Sequence, residues 1–345
     1  MGNSRTSGLV VRLLGLLISV AALWVVLRSV DLAASATILS QANPLPLAAC
    51  LVVIATQVTL RAVRWRLLLP PPRGGGSIEV RRIVPVLLVG YLGNAVLPAR
   101  LGEPIRAYLV ARREDLDAVE AFGSVVLERV VDTATLAVVA FVAAVAVNAP
   151  SWIVQATGVA AVAGIGITVA LVVIGPGRMV MVTRRVVAHL PFATRAEPIL
   201  RRLDDFARGI DRPSRSSAII VAVVVSATTW MLDATTFWLV ASSIGVQVSP
   251  AAALLIGAVT VLGTALPSAP GYVGTFELAA STTAQALGVA AVPALALAVL
   301  AHVMTVLPAA GGGAISMIAM NARLGRLATD AAGAERAITD SASQG

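Results

Sequence analysis

Apolar runs of about 20 residues, repeated along the chain, constrain this sequence more than any other feature. A helix rising 1.5 Å per residue needs about that length to cross the ~30 Å hydrocarbon core of a bilayer. Such runs lie at 9–27, 45–63, 121–147, 152–174, 217–240 and 295–319. Only 13% of the residues are charged and the mean hydropathy is +0.89, whereas a soluble domain carries about 25% charged residues. The pattern predicts an all-α polytopic membrane protein with one integral membrane domain over 1–327. Arg5, Arg12 and Ala34-Ser35-Ala36 also fit a cleaved signal peptide in place of the first span. Either reading leaves the N-terminus in the cytoplasm.

Two further apolar stretches are too short to span. Residues 82–97 end at Leu97-Pro98 and residues 251–266 end at Leu266-Pro267. Each reaches only about 24 Å as a helix, and proline disrupts the turn before it. Short segments at 103–113 and 274–287 follow. These are read as two re-entrant helix–break–helix hairpins, which gives six full spans plus two hairpins. The arginines agree. Clusters at 61–82, 112–113, 178–215 and 323–326 then all fall on the cytoplasmic side, while the connections at 148–151 and 241–250 carry no charge. Both termini are expected in the cytoplasm and the protein in the cell membrane. The breaks Gly93-Asn94-Ala95-Val96-Leu97-Pro98 and Gly263-Thr264-Ala265-Leu266-Pro267 resemble each other, as an inverted repeat would require. The Arg-rich connector 175–216 reads either as an amphipathic surface helix or as a solvated cytoplasmic link. The tail 328–345 is small and polar, and disorder is expected there.

Polar residues inside a bilayer persist where they are paired or face water. Asn94, Arg100, Glu103 and Arg106 gather at the first break. A helix N-terminus at such a break favours an anion, and arginines suit a phosphate. The alternative is a Glu103–Arg106 pair that only caps the turn. Glu128, Arg129 and Asp132 share a face within a span, where they either brace the first hairpin or relay protons. Pro270, Gly271, Gly274 and Glu277 form the second break, with Glu277 placed either to bind substrate or to cap its helix. If the two breaks meet near the midplane, Glu103 and Arg106 come close to Glu277. Asp233 and His302 are lone polar residues in apolar runs.

Enzyme signals are weak. The sequence has no P-loop and no nucleophile elbow. Its two histidines and single Cys50 cannot build an ordinary zinc site, and no cofactor is expected. Asp115-Leu116-Asp117 resembles a metal motif of nucleotide-sugar enzymes, but reads better as a turn at the membrane edge. The basic pI does not argue for nucleic acid, because the arginines lie in short segments between apolar runs, where the positive-inside rule places them.

Together these motifs resemble the flippase-like family that includes the transmembrane region of lysylphosphatidylglycerol synthase. The resemblance rests on Leu60-Arg61-Ala62-Val63-Arg64-Trp65-Arg66, on Asn94 to Arg106, on Glu128-Arg129-Val130-Val131-Asp132, on Pro267 to Glu277, and on Ala301-His302 to Leu307-Pro308. It implies a lipid-translocating domain for an anionic or aminoacylated phospholipid, or a polyprenyl-phosphate-linked lipid, working beside a separate lipid synthase or glycosyltransferase. The alternative is an enzyme or accessory subunit of lipid glycosylation or envelope biosynthesis. Many relatives are expected to carry an Arg near His302-Val303.

Overall fold

The computed structural model describes residues 17–25, 28, 31–97, 100–187, 193–214, 217–264 and 269–321. All regular structure among them is helical. Residues 17–25 form α1. Then follow α2 (Leu32–Ser40), α3 (Pro44–Leu68), α4 (Val80–Val96), α5 (Gly102–Glu114), α6 (Ala118–Ala146), α7 (Ser151–Val173), α8 (Pro176–Val187), α9 (Ala193–Ser214), α10 (Ala218–Ser243), α11 (Pro250–Gly263), α12 (Thr275–Ala286) and α13 (Ala291–Ala319). A 3-10 turn at Pro270–Tyr272 precedes α12. Of the described helices, α3, α6, α7, α10 and α13 are long and apolar enough to cross a membrane. The start of the expected first span, Pro98, Pro267 and the tail 328–345 lie outside the described residues.

Short caps set the span ends. Asn43 accepts from the Leu45 N–H and Pro44 opens α3, because proline at a first helical position forfeits no hydrogen bond. Asp117 accepts from the N–H groups of Val119 and Glu120 to open α6, and Asp115 closes α5 in a left-handed conformation. The Asp115-Leu116-Asp117 sequence is therefore the hinge between two helices.

The element order repeats as long, short, short, long: α3–α4–α5–α6, then α10–α11–α12–α13. In the first short pair the chain doubles back. The Asn94 Oδ1 accepts from the Gly102 N–H at 2.9 Å. A Cβ on Gly93 would lie 2.8 Å from the Gly102 Cα, so only glycine permits this approach. At the other end of the arms Arg82 pairs with Glu114 at 3.3 Å, so α5 ends level with the start of α4. In the second pair Gly263 faces Ala279, while Leu254 and Leu255 pack with Ala286 and Leu287. The bases sit at opposite ends of the bundle. Ile78 and Leu116 cluster with Trp65 at the end of α3. Ala284 clusters with Cys50 near the start of α3.

The connector 175–216 is not a bare link. It contains α8 and α9, and α9 docks on α6, where Gly123 meets the Phe206 carbonyl and Gly209 the Glu120 carbonyl. Arg208 pairs with Glu120 at 2.7 Å. α8 is tied to α9 by Arg184–Asp204 at 2.6 Å, and Met179, Val182 and Val186 on it are exposed.

Candidate functional site

The two hairpin tips meet. Nη2 of Arg100 donates to the Thr264 carbonyl at 2.6 Å, and its guanidinium lies 5.5 Å from the centre of the Tyr272 ring. A Cβ on Gly271 would lie 3.3 Å from the Ala95 carbonyl. Arg100, Gly271, Tyr272 and Gly274 all have positive φ. In Arg100 and Tyr272 that conformation is uncommon, and both lie where the tips touch.

Beside this contact lies a cavity of about 230 Å³. Its polar wall includes Arg61, Asn94, Arg100, Glu103, Arg129 and Asp233. Apolar side chains from the middle of α3, α10 and α13, among them Ile54, Phe237 and Val306, complete it. That volume is room for several waters beside the polar wall.

Behind the polar wall runs a network of buried charges. Arg64 from α3 is 1% exposed. It donates to Glu128 at 2.7 Å and to Ser226 at 2.7 Å, and it also pairs with Asp132. Arg106 bridges Glu103 at 2.7 Å and Glu128 at 2.8 Å and lies 4.6 Å from the centre of the Trp65 ring. Arg129 reaches Glu103 at 3.4 Å. Arg61 pairs with Asp233 at 3.0 Å, while Gln57 donates to the other oxygen of Asp233 at 3.2 Å. Arg61, Arg64, Arg106 and Arg129 thus balance Glu103, Glu128, Asp132 and Asp233. Arg100 stands outside that balance, with no carboxylate partner among the described residues.

Several expectations need correction in detail. Arg106 turns away from the cavity into the network, because Glu128 supplies a second buried carboxylate that it must neutralise. Arg61, Arg64 and Asp233 belong to this site, although Arg61 and Arg64 read as cytoplasmic loop charges. They lie within α3, one turn apart, and face inward. The carboxylates at 128, 132 and 233, which need buried cations, were the signal for them. Glu277 does not line the cavity, nor does it ion-pair with Arg106. Its Oε2 accepts from the Gly274 N–H at 2.7 Å and its Oε1 contacts His302 Nδ1 at 2.5 Å. Pro270, Gly271 and Gly274 build the turn itself, with Gly274 against the Ser19 carbonyl of α1. Among the described residues no group of His, Cys, Asp and Glu has a metal-holding arrangement.

Comparison with known proteins places the chain in a membrane-protein family. The model of the lysylphosphatidylglycerol synthase TM region matches residues 12–331. A relative described as glycosyltransferase AglD, from Haloferax volcanii, is 29% identical over 343 residues. That alignment covers 90% of this chain and 54% of the relative, so the chain spans about half the length of the relative it matches. No solved structure matches.

Proposed function

The chain belongs to the family of the lysylphosphatidylglycerol synthase transmembrane region, and from that premise we propose that it moves a lipid with an anionic, phosphate-bearing head group between membrane leaflets. One observation carries the reading. The paired charges at the hairpin tips cancel, and Arg100 is left over beside the cavity. A guanidinium presents several fixed donors to a phosphate, and a desolvated site strengthens that attraction. The acyl chains would stay in the surrounding lipid while the head group passes between the tips. In this reading the fold has six full spans and two re-entrant hairpins that form an inverted repeat. It lies in the cell membrane with both termini in the cytoplasm, and acts as a transporter rather than an enzyme. The lipid would be an anionic or aminoacylated phospholipid or a polyprenyl-phosphate-linked lipid, supplied by a separate synthase or glycosyltransferase.

The test is leaflet exchange of a labelled anionic phospholipid in proteoliposomes. A hydrogen bond to a charged group is worth about 1.5–3 kcal/mol, so R100A should slow exchange by about ten- to a hundredfold. Wild-type rates in R100A would remove the head-group reading. A second reading, as the membrane part or accessory of a lipid-glycosylating system, is favoured by the H. volcanii relative, which is described as a glycosyltransferase. It predicts that deleting the gene depletes glycosylated lipid carriers, whereas loss of a flippase leaves them made but confined to one leaflet.

A further inference from the structure

Glu277 and His302 are buried and lie behind the cavity wall. The imidazole stacks on Phe276, with centroids 4.3 Å apart and planes 12° apart, and Phe276 itself lines the cavity. His302 Nε2 lies 2.7 Å from the Gly271 carbonyl. A carbonyl only accepts, so Nε2 carries a hydrogen. Nδ1 then faces the Glu277 Oε1 at 2.5 Å, where two lone pairs cannot meet. A second proton therefore lies between them, on the ring or on the carboxyl. In either arrangement the pair is neutral, and without that proton it carries one negative charge.

We infer that the Glu277–His302 pair is a proton-binding site coupled to the head-group cavity, so that proton and anionic lipid bind together. This deepens the transport reading above and rests on it. When the proton leaves, the imidazole must give up either Gly271 or Glu277. The turn then loses an anchor, and that turn carries Tyr272, which packs under Arg100. The departing proton also leaves a negative charge behind the cavity. Both effects weaken anion binding, and by reciprocity bound lipid holds the proton more tightly. The other titratable or charged groups on neighbouring elements are Tyr272 of the turn, Arg81, Arg82 and Tyr91 of α4, Cys50, Arg61, Arg64 and Arg66 of α3, Asp233 of α10, and Arg100. None of them makes a hydrogen bond or ion pair with either member, and α1, α11, α12 and α13 hold no further titratable side chain among their described residues.

The probe is a short-chain phosphatidylglycerol, whose phosphodiester does not titrate near neutrality, bound to the full chain in zwitterionic nanodiscs. Its dissociation constant should rise about tenfold between about pH 5.5 and 8.5, the sign expected when the bound state holds one more proton. In H302Q, which does not titrate, the change should fall below about twofold. E277Q, whose amide still accepts from Gly274 N–H and donates to Nδ1, should behave likewise, and it serves if H302Q does not fold. The chain has two histidines, so in H189Q the nitrogen-15 spectrum reports His302 alone and should show a change of protonation that tracks the binding profile. A flat wild-type profile, or an undiminished pH dependence in both variants, overturns the coupling. R100A separates the two ideas. If it binds the probe as tightly as wild type, the head-group reading itself fails; if it weakens binding while the wild-type profile is flat, only the proton coupling fails.

Discussion

Glu128 is the residue on which the buried charges turn. Its two oxygens meet Arg64 and Arg106, which come from α3 and α5, and both arginines are 1% exposed. Breaking a buried pair leaves an uncompensated charge and costs about 3–5 kcal/mol. Glu128→Ala leaves two arginines short of a partner, so it should lower the detergent melting temperature sharply or prevent accumulation of the protein. R64M together with E128A and D132A should recover part of that loss, since an apolar replacement leaves fewer charges buried. A melting temperature for E128A near the wild-type value would mean that water already solvates these arginines. The i, i+3 and i, i+4 spacings of Glu103, Arg106, Glu128 and Asp132 were readable in the sequence because helical neighbours share a face. The Arg61–Asp233 pair was not, because its partners are 172 residues apart and only the packing of α3 on α10 brings them together.

At the scale of elements, the hairpins depend on glycine. A Cβ on Gly102 would strike both the Gly90 carbonyl and the Asn94 side chain, so even alanine must pry α4 from α5. Gly166 in α7 has nothing within 4 Å of such a Cβ. Alanine exceeds glycine in helix propensity by about 1 kcal/mol, so G166A should be neutral or slightly stabilising. G102A should lower the melting temperature and reduce lipid exchange, and equal behaviour of the two variants would show that the arms are not closely packed. The two pairs of short helices could be read from length alone, since each apolar arm is too short to span and stops at a Leu-Pro step. Their pairing could not. The contact of Arg100 with Thr264 is made by a residue in a left-handed conformation, and no local pattern announces that geometry. Likewise, Glu277 was visible as a helix-capping residue, but its His302 partner lies on another helix.

For the molecule as a whole, the two hairpin bases at opposite ends fix which loops share a side. If both hairpins return to the face they entered and the arginine-rich face is the cytoplasmic one, the α6–α7 and α10–α11 connections lie together outside, and the α3–α4 connection and α9 lie inside. Arg178, Arg185, Arg201 and Arg208 then sit at the cytoplasmic surface, with Met179, Val182 and Val186 of α8 turned toward lipid, as an in-plane amphipathic helix requires. Exposed positions make this measurable. Asn148 and Gln247 are exposed on the first pair of connections, and Gly75 and Arg201 on the second group. Cys50 is the only cysteine and is buried, so single cysteines can be placed in a C50A background. An impermeant maleimide added to intact cells should label N148C and Q247C, and should reach G75C and R201C only after permeabilisation. The design tests each hairpin separately. If the first hairpin crossed fully, positions 148, 201 and 247 would all switch sides relative to 75. If the second alone crossed, the side of the C-terminal end of α13 would change while these four positions stayed as expected. A further cysteine at Asn321, exposed just beyond α13, completes the test and should be labelled only from inside. Labelling of N321C in intact cells, with the other four positions as expected, would make the α11–α12 segment a full crossing and would remove the inverted repeat on which a shared site at the two tips depends.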